Sequence, residues 1–208
     1  MTNSQAMALE EDWSGMELVF SPNPCDLENL FGRQNHRILE IGFGNGESLA
    51  AQANESPDSD YLGIEVHRPG IGHLLIRIKQ LSLKNIRISG HDAMDVLVHQ
   101  LPSDSFDTIQ LFFPDPWPKK KHHKRRIVQD AFVELTHRVL RHKGLFHVAT
   151  DWHPYVEHVV KVMHRHQNNF KDVSLPGLAK PKHRPVTKFE TRGIKKGHGV
   201  WDLIYRKR

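Results

Sequence analysis

Short, nearly continuous apolar runs alternate along the chain with longer stretches whose apolar residues recur every three or four positions. Residues 37–42 (RILEIG) read as a strand ending in a glycine-rich turn, and 46–53 as the helix that follows. A second buried strand is expected at 61–66 (YLGIEV), then a helix over 69–81 with proline near its start. Residues 85–89 (NIRIS) predict a third strand and 93–101 a short helix. The fourth strand, 106–113 (FDTIQLFF), is stopped by Pro114. Within 126–140, Val128, Phe132, Leu135 and Val139 fall at helical spacing. A fifth strand at 145–150 (LFHVAT) precedes a helix over 154–166, with Tyr155, Val159, Val162 and Met163 toward one side. The last strand is 200–205 (VWDLIY), after a less apolar candidate near 170–174.

Apolar strands alternating with helices predict an α/β fold, a mostly parallel sheet covered on both faces. Ligands of such folds sit beyond the carboxyl ends of the strands. The polar residues just after each strand therefore matter most. No repeat or low-complexity linker divides the 208 residues, so one domain is expected. Residues 1–30 would form an N-terminal extension packing on or flanking its core.

The first strand runs into Glu40, Gly42, Gly44 and Gly46 at alternate positions. Alternate glycines let the backbone turn tightly and come close to a ligand. By itself such a turn is also an ordinary strand-to-helix connection. Glu40 sharpens the reading, because a carboxylate inside the turn suits a cationic ligand with a free amino group and a sulfonium. Glu65 ends the second strand, where an acidic side chain accepts from ribose hydroxyls. Asp92 follows the third strand and suits either an adenine amine or the cap of the helix starting at Ala93. Three carboxylates at three successive strand ends match how class I methyltransferases hold S-adenosyl-L-methionine. The rival is an NAD-dependent dehydrogenase, but its turn is G-x-G-x-x-G. No hydride-transfer site follows here.

The fourth strand leads into Pro114, Asp115, Pro116, Trp117 and Pro118. Prolines on both sides stiffen the backbone around Asp115, a carboxylate placed for chemistry. Next comes KKKHHKRR, residues 119–126, in which six of eight are Lys or Arg. A charge run is usually a solvated face; beside a candidate active site, phosphate contact is the better reading. Trp117 either stacks on a base or packs the loop. The net charge of +5 is compatible with a polyanionic partner. One cysteine, Cys25, permits no intrachain disulfide, suits a reducing cytosol and rules out a multi-cysteine zinc site. The 16 histidines show no metal-ligand spacing, so no metal is expected. The N-terminus has neither a signal-peptide pattern nor, anywhere after it, an apolar stretch long enough for a bilayer, so no membrane partner is expected.

Together, LEIGFGNG, GIEVHRPG, FFPDPWPKKKHHKRR, ATDW, RPVTKFE and GHGVWDL resemble the bacterial tRNA (guanine-N7-)-methyltransferases from about Leu9 to the C-terminus. One departure is an N-terminus expected to be shorter than in many relatives, whose basic arms assist tRNA binding. The resemblance implies a Rossmann-like class I methyltransferase fold, a seven-stranded sheet with an antiparallel last strand. It implies S-adenosyl-L-methionine as cofactor, held by Glu40, Gly42, Gly44, Glu65, Asp92 and Asp115, with Asp115 also catalytic. It implies tRNA as partner, met by Lys119, Asp151, Thr187, Lys188, Phe189 and Glu190. The product would be 7-methylguanosine in the variable loop, made in the cytoplasm by a monomer or homodimer with no obligate protein partner.

Overall fold

The computed structural model describes residues 1–11, 13–177, 181, 184–185 and 199–208. Its centre is a sheet of β1 (His36–Ile41), β2 (Ser59–Ile64), β3 (Ile86–Ser89), β4 (Phe106–Phe112), β5 (Leu140–Thr150), β6 (Phe170–Asp172) and β7 (Trp201–Lys207). The spatial order is β3-β2-β1-β4-β5-β7-β6. Strands β1 to β5 pair in parallel, and β7 runs antiparallel to both its neighbours. This is the expected Rossmann-like arrangement. The strand order reverses between β1 and β4, which opens a crevice beyond their carboxyl ends.

Alternate residues of each strand enter different clusters. On one face Ile38, Tyr61, Ile86 and Ile88 pack under α3 (Glu47–Glu55) and α4 (Arg68–Leu81). On the other, Leu39, Leu62, Ile109 and Phe146 pack under α6 (Asp130–Val139) and α7 (His153–Arg165). Between β3 and β4 lies α5 (Ala93–Asp95), which continues as a π-helical turn, Val96–Gln100.

The N-terminal residues use elements that apolar spacing did not predict. Thr2 and Gln5 cap each other across the first turn of α1 (Asn3–Glu10), with Gln5 Oε1 accepting from Thr2 N at 2.7 Å. This helix lies against α4, so close that a Cβ on Gly72 would stand 2.6 Å from Gln5 O. Leu18 N donates to Ile88 O at 2.8 Å, so the segment covers the exposed edge of β3. A further short helix, α2 (Leu27–Phe31), is capped by Asp26.

Two boundaries differ most from the expectation. Strand β5 begins at Leu140, because Leu140 still pairs with Phe106 before a register shift. Helix α6 begins at Asp130, because Arg126 and Gln129 keep extended backbones.

Candidate active site

The turn after β1 is shaped by backbone conformation. Gly42 and Gly44 have φ of 71° and 61°, the left-handed region. Glu65 Oε2 accepts from Gly44 N at 2.8 Å and Oε1 from His67 N at 2.9 Å. One carboxylate thus ties the glycine turn to the start of α4. His73 Nδ1 lies 2.7 Å from Asn45 O on the same turn. Gly70 lets α4 approach, since a Cβ there would stand 2.0 Å from Gly44 O.

Two adjoining cavities open above this turn. The first, about 300 Å³, is lined by Glu40, Gly42, Gly44, Glu65 and Asp115, among others. The second, about 340 Å³, shares Gly42, Glu65 and Asp115 and adds Asp92 and Trp117. All six predicted cofactor residues therefore border one continuous crevice at the switch point.

Glu40 is only 2% exposed, and burial pushes its carboxyl up to about 8. Its Oε2 has no hydrogen-bond partner among the described residues. Such an atom is costly unless something fills the cavity beside it. Asp92 Oδ1 accepts from Met94 N at 2.8 Å and Asp95 N at 3.4 Å, so the capping reading is realised. Its other oxygen is not used by that cap.

Asp115 stands exposed on the loop after β4. Phe113 N donates to Ala149 O at 2.7 Å and fixes the loop's start. Arg126 Nε donates to Pro116 O at 3.0 Å and fixes its middle. Lys119 and Asp151 follow the adjacent strands β4 and β5 on the same edge of the sheet, but neither lines the two cavities. Thr187, Lys188, Phe189 and Glu190 lie outside the described residues.

The basic run needs one correction. Lys119, Lys120, Lys121, Lys124 and Arg125 are exposed, in and beside a 3-10 segment, Lys120–Arg125. Arg126 is 3% exposed and cannot meet a phosphate. Its guanidinium sits 5.4 Å over the Tyr155 ring and 3.1 Å from His123 Nε2, and burial lowers its pKa. In the sequence it is one cation among six.

A second group of buried polar residues was not singled out by the sequence. His147 Nε2 lies 2.7 Å from Asp202 Oδ1. Arg184 Nη2 donates to Asp202 Oδ2 at 2.9 Å, and its Nε lies 2.6 Å from Oδ1. Burial works against the Asp202 carboxylate, but the hydrogen bonds from His147 and Arg184 hold it below its ordinary range. Burial lowers His147 as well, against the pull of Asp202. The Arg184 guanidinium lies 5.9 Å from the Phe113 ring centre, and the edge of His147 meets Phe112 at 4.9 Å. This network braces the aromatic wall of the first cavity. The only hint in the sequence is that Arg184 and Asp202 bracket the TKFE motif.

A methyltransferase family model, Methyltransf_4, matches residues 34–203. A curated tRNA (guanine-N(7)-)-methyltransferase of Shewanella sp. (strain MR-4) is 49% identical, over 100% of this chain and 87% of its own. That of Nitrosococcus oceani is 50% identical, over 100% of this chain and 86% of its own. The chain belongs to this methyltransferase family. Among solved structures, the 16S rRNA methyltransferase KamB shares the fold with a TM-score of 0.64 at 14% identity, over 89% of this chain and 94% of that one.

The family's methyl donor is S-adenosyl-L-methionine, a sulfonium that also carries a free amino group. The crevice fits it. Glu40 offers a buried acceptor oxygen without a described partner, and carboxylates stand at three strand ends. Among the described residues no group of three or more His, Cys, Asp or Glu side chains is placed to hold a metal, and no helix is long and apolar enough to cross a membrane.

Proposed function

We propose that the chain transfers the methyl group of S-adenosyl-L-methionine to N7 of a guanine in the variable loop of tRNA. The observation that carries this reading is the buried Glu40 carboxylate beneath a loop bearing Asp115, at the switch point of this fold. Glu40 would hold the amino group of the cofactor, and the Gly42–Gly44 backbone would lie along its chain. Glu65 would accept from the ribose hydroxyls with the lone pairs that Gly44 and His67 leave over. Asp92 would accept from the adenine amine with the oxygen its helix cap does not use.

When bound, the cofactor supplies a methyl carbon on positively charged sulfur. Guanine N7 bears a lone pair at neutral pH, so the protein needs no general base to activate it. Its work is to align N7 with the methyl carbon and to exclude water. Positive charge moves onto the purine as the bond forms, and the Asp115 carboxylate would stabilise it there. Asp151 and Glu190 would accept from guanine N1–H and the 2-amino group, donors that adenine lacks in this arrangement. Lys119 and Lys188 would hold phosphates. Cys25, the lone cysteine, suits the reducing cytosol we assign to the enzyme.

The test is to incubate the pure protein with unmodified tRNA and methyl-labelled S-adenosyl-L-methionine, then analyse the nucleosides. Label should appear in 7-methylguanosine and vanish when the variable-loop guanine is replaced. Label in another nucleoside would reject the target atom.

A further inference from the structure

Trp117 is the one aromatic residue of the basic loop, and its surroundings differ from those of a free stacking platform. The residue lines the second cavity together with Glu65, Asp92, Val66 and Ala93, which follow β2 and β3. Its other contacts come from the basic segment itself. The Arg125 guanidinium lies 4.9 Å from the ring centre, and His122 meets the ring edge-on at 5.8 Å. Trp117 has φ of 43°, a left-handed conformation that only over-determined surroundings sustain in a tryptophan. Those surroundings include Arg126, which holds the preceding carbonyl of Pro116.

Arg125 shows the same division of labour. It lines the second cavity, yet it makes no salt bridge with a carboxylate among the described residues. Its partner is the indole face, a cation–π contact. The exposed cations Lys120, Lys121 and Lys124 ride on the same 3-10 segment. That segment is held by Gln129 and Arg126 at His123, and by Trp117, which also lines the second cavity, at Arg125 and His122.

We propose that Trp117 and Arg125 couple the two ligands: the cofactor's adenosine half packs against Trp117, and this contact sets the 3-10 segment that receives tRNA phosphates. The proposal rests on the cofactor and tRNA reading above. A ligand against one side of the indole restricts the ring, and the restricted ring restricts Arg125 and the lysines beside it. Binding free energies are reciprocal, so whatever factor the cofactor lends to tRNA affinity, tRNA lends to the cofactor. Trp117 is then a positioning residue that links two sites rather than a stack for a tRNA base.

The experiment measures affinities, independent of turnover. The dissociation constant of fluorescently labelled, unmodified tRNA is determined with and without saturating S-adenosylhomocysteine, and that of S-adenosylhomocysteine with and without tRNA. Wild type should show at least about a fivefold tightening in both directions, by the same factor. Trp117→Ala should bring the factor close to one, and so should Arg125→Gln, which leaves the indole in place. Lys188→Ala, outside that segment in the sequence, should weaken tRNA binding equally with and without S-adenosylhomocysteine and keep the factor. A cooperative melting transition like that of the wild type shows that each variant is folded, and S-adenosylhomocysteine is kept saturating for each variant's own affinity. A wild type that makes 7-methylguanosine but binds tRNA equally well in both conditions would overturn the coupling and leave the activity standing. Full coupling in both Trp117→Ala and Arg125→Gln would overturn the role of these residues. A wild type that binds no tRNA in either condition would overturn the coupling and the activity together.

Discussion

The turn after β1 and the loop after β4 line the same crevice, yet different forces hold them. The first is a backbone construction. Left-handed glycines set its path, Glu65 receives its amide, and α4 packs on it through Gly70. The second is a side-chain construction. Arg126 holds Pro116 from below, while Arg184, His147 and Asp202 pack behind Phe112 and Phe113. A backbone construction announces itself in the sequence, because few residues tolerate positive φ. A construction resting on buried cations does not, since Arg and Lys usually mark a surface.

This contrast is open to test at four places, in descending size of effect. The largest is expected at Glu40. Its folded carboxyl titrates near 8, above its ordinary 4.5, so the ligand-free fold binds the extra proton and loses stability as pH rises through about 8. Glu40→Gln should remove that slope and stabilise the ligand-free protein above pH 8 by roughly 5 kcal/mol at the most. It should also weaken S-adenosylhomocysteine binding. Denaturant titrations at several pH values decide the matter, and an unchanged slope would clear Glu40 of the effect.

Arg184→Met probes the other construction. It leaves a buried carboxylate one partner short, and should cost about 3–5 kcal/mol of stability. Adding Asp202→Asn should restore part of that loss; a strictly additive pair would mean that the two side chains do not interact. Asp115→Ala touches chemistry rather than stability. It should lower the methyl-transfer rate about 10²- to 10³-fold in single-turnover measurements, with a normal melting temperature. A parent-like rate would remove Asp115 from the mechanism. The smallest effect is Gly70→Ala, where the new Cβ meets the Gly44 carbonyl. A cost of about 1–3 kcal/mol is expected, with weaker S-adenosylhomocysteine binding in calorimetry.

Much of the fold was legible before the structure. Strands β1 to β5 are buried on both faces, so their apolar runs are long and unmistakable. The glycine turn and the carboxylates at the ends of β1, β2 and β3 follow from that pattern alone. The 3-10 segment Lys120–Arg125 did not, because its residues are all polar and carry no apolar period. Helix α1 buries no residue, but its Thr2 and Gln5 caps were a usable signal. The role of Arg126 was invisible for a different reason. Six cations in eight residues look alike until packing singles one out. The family motifs named Asp151 and Lys119, and the sheet topology then put them on adjacent strand ends.

The reversed strand has a consequence for how the molecule is made. Strand β6 joins the sheet only by way of β7, which follows it in the sequence and slots between it and β5. While the ribosome is still making the chain, strands β1 to β5 can assemble in the order of their synthesis. The Asp202 that pairs with His147 and Arg184 arrives with β7 itself. A nascent chain can therefore possess a cofactor crevice before it possesses a finished aromatic wall. The closing contact on that wall awaits residues 201–207.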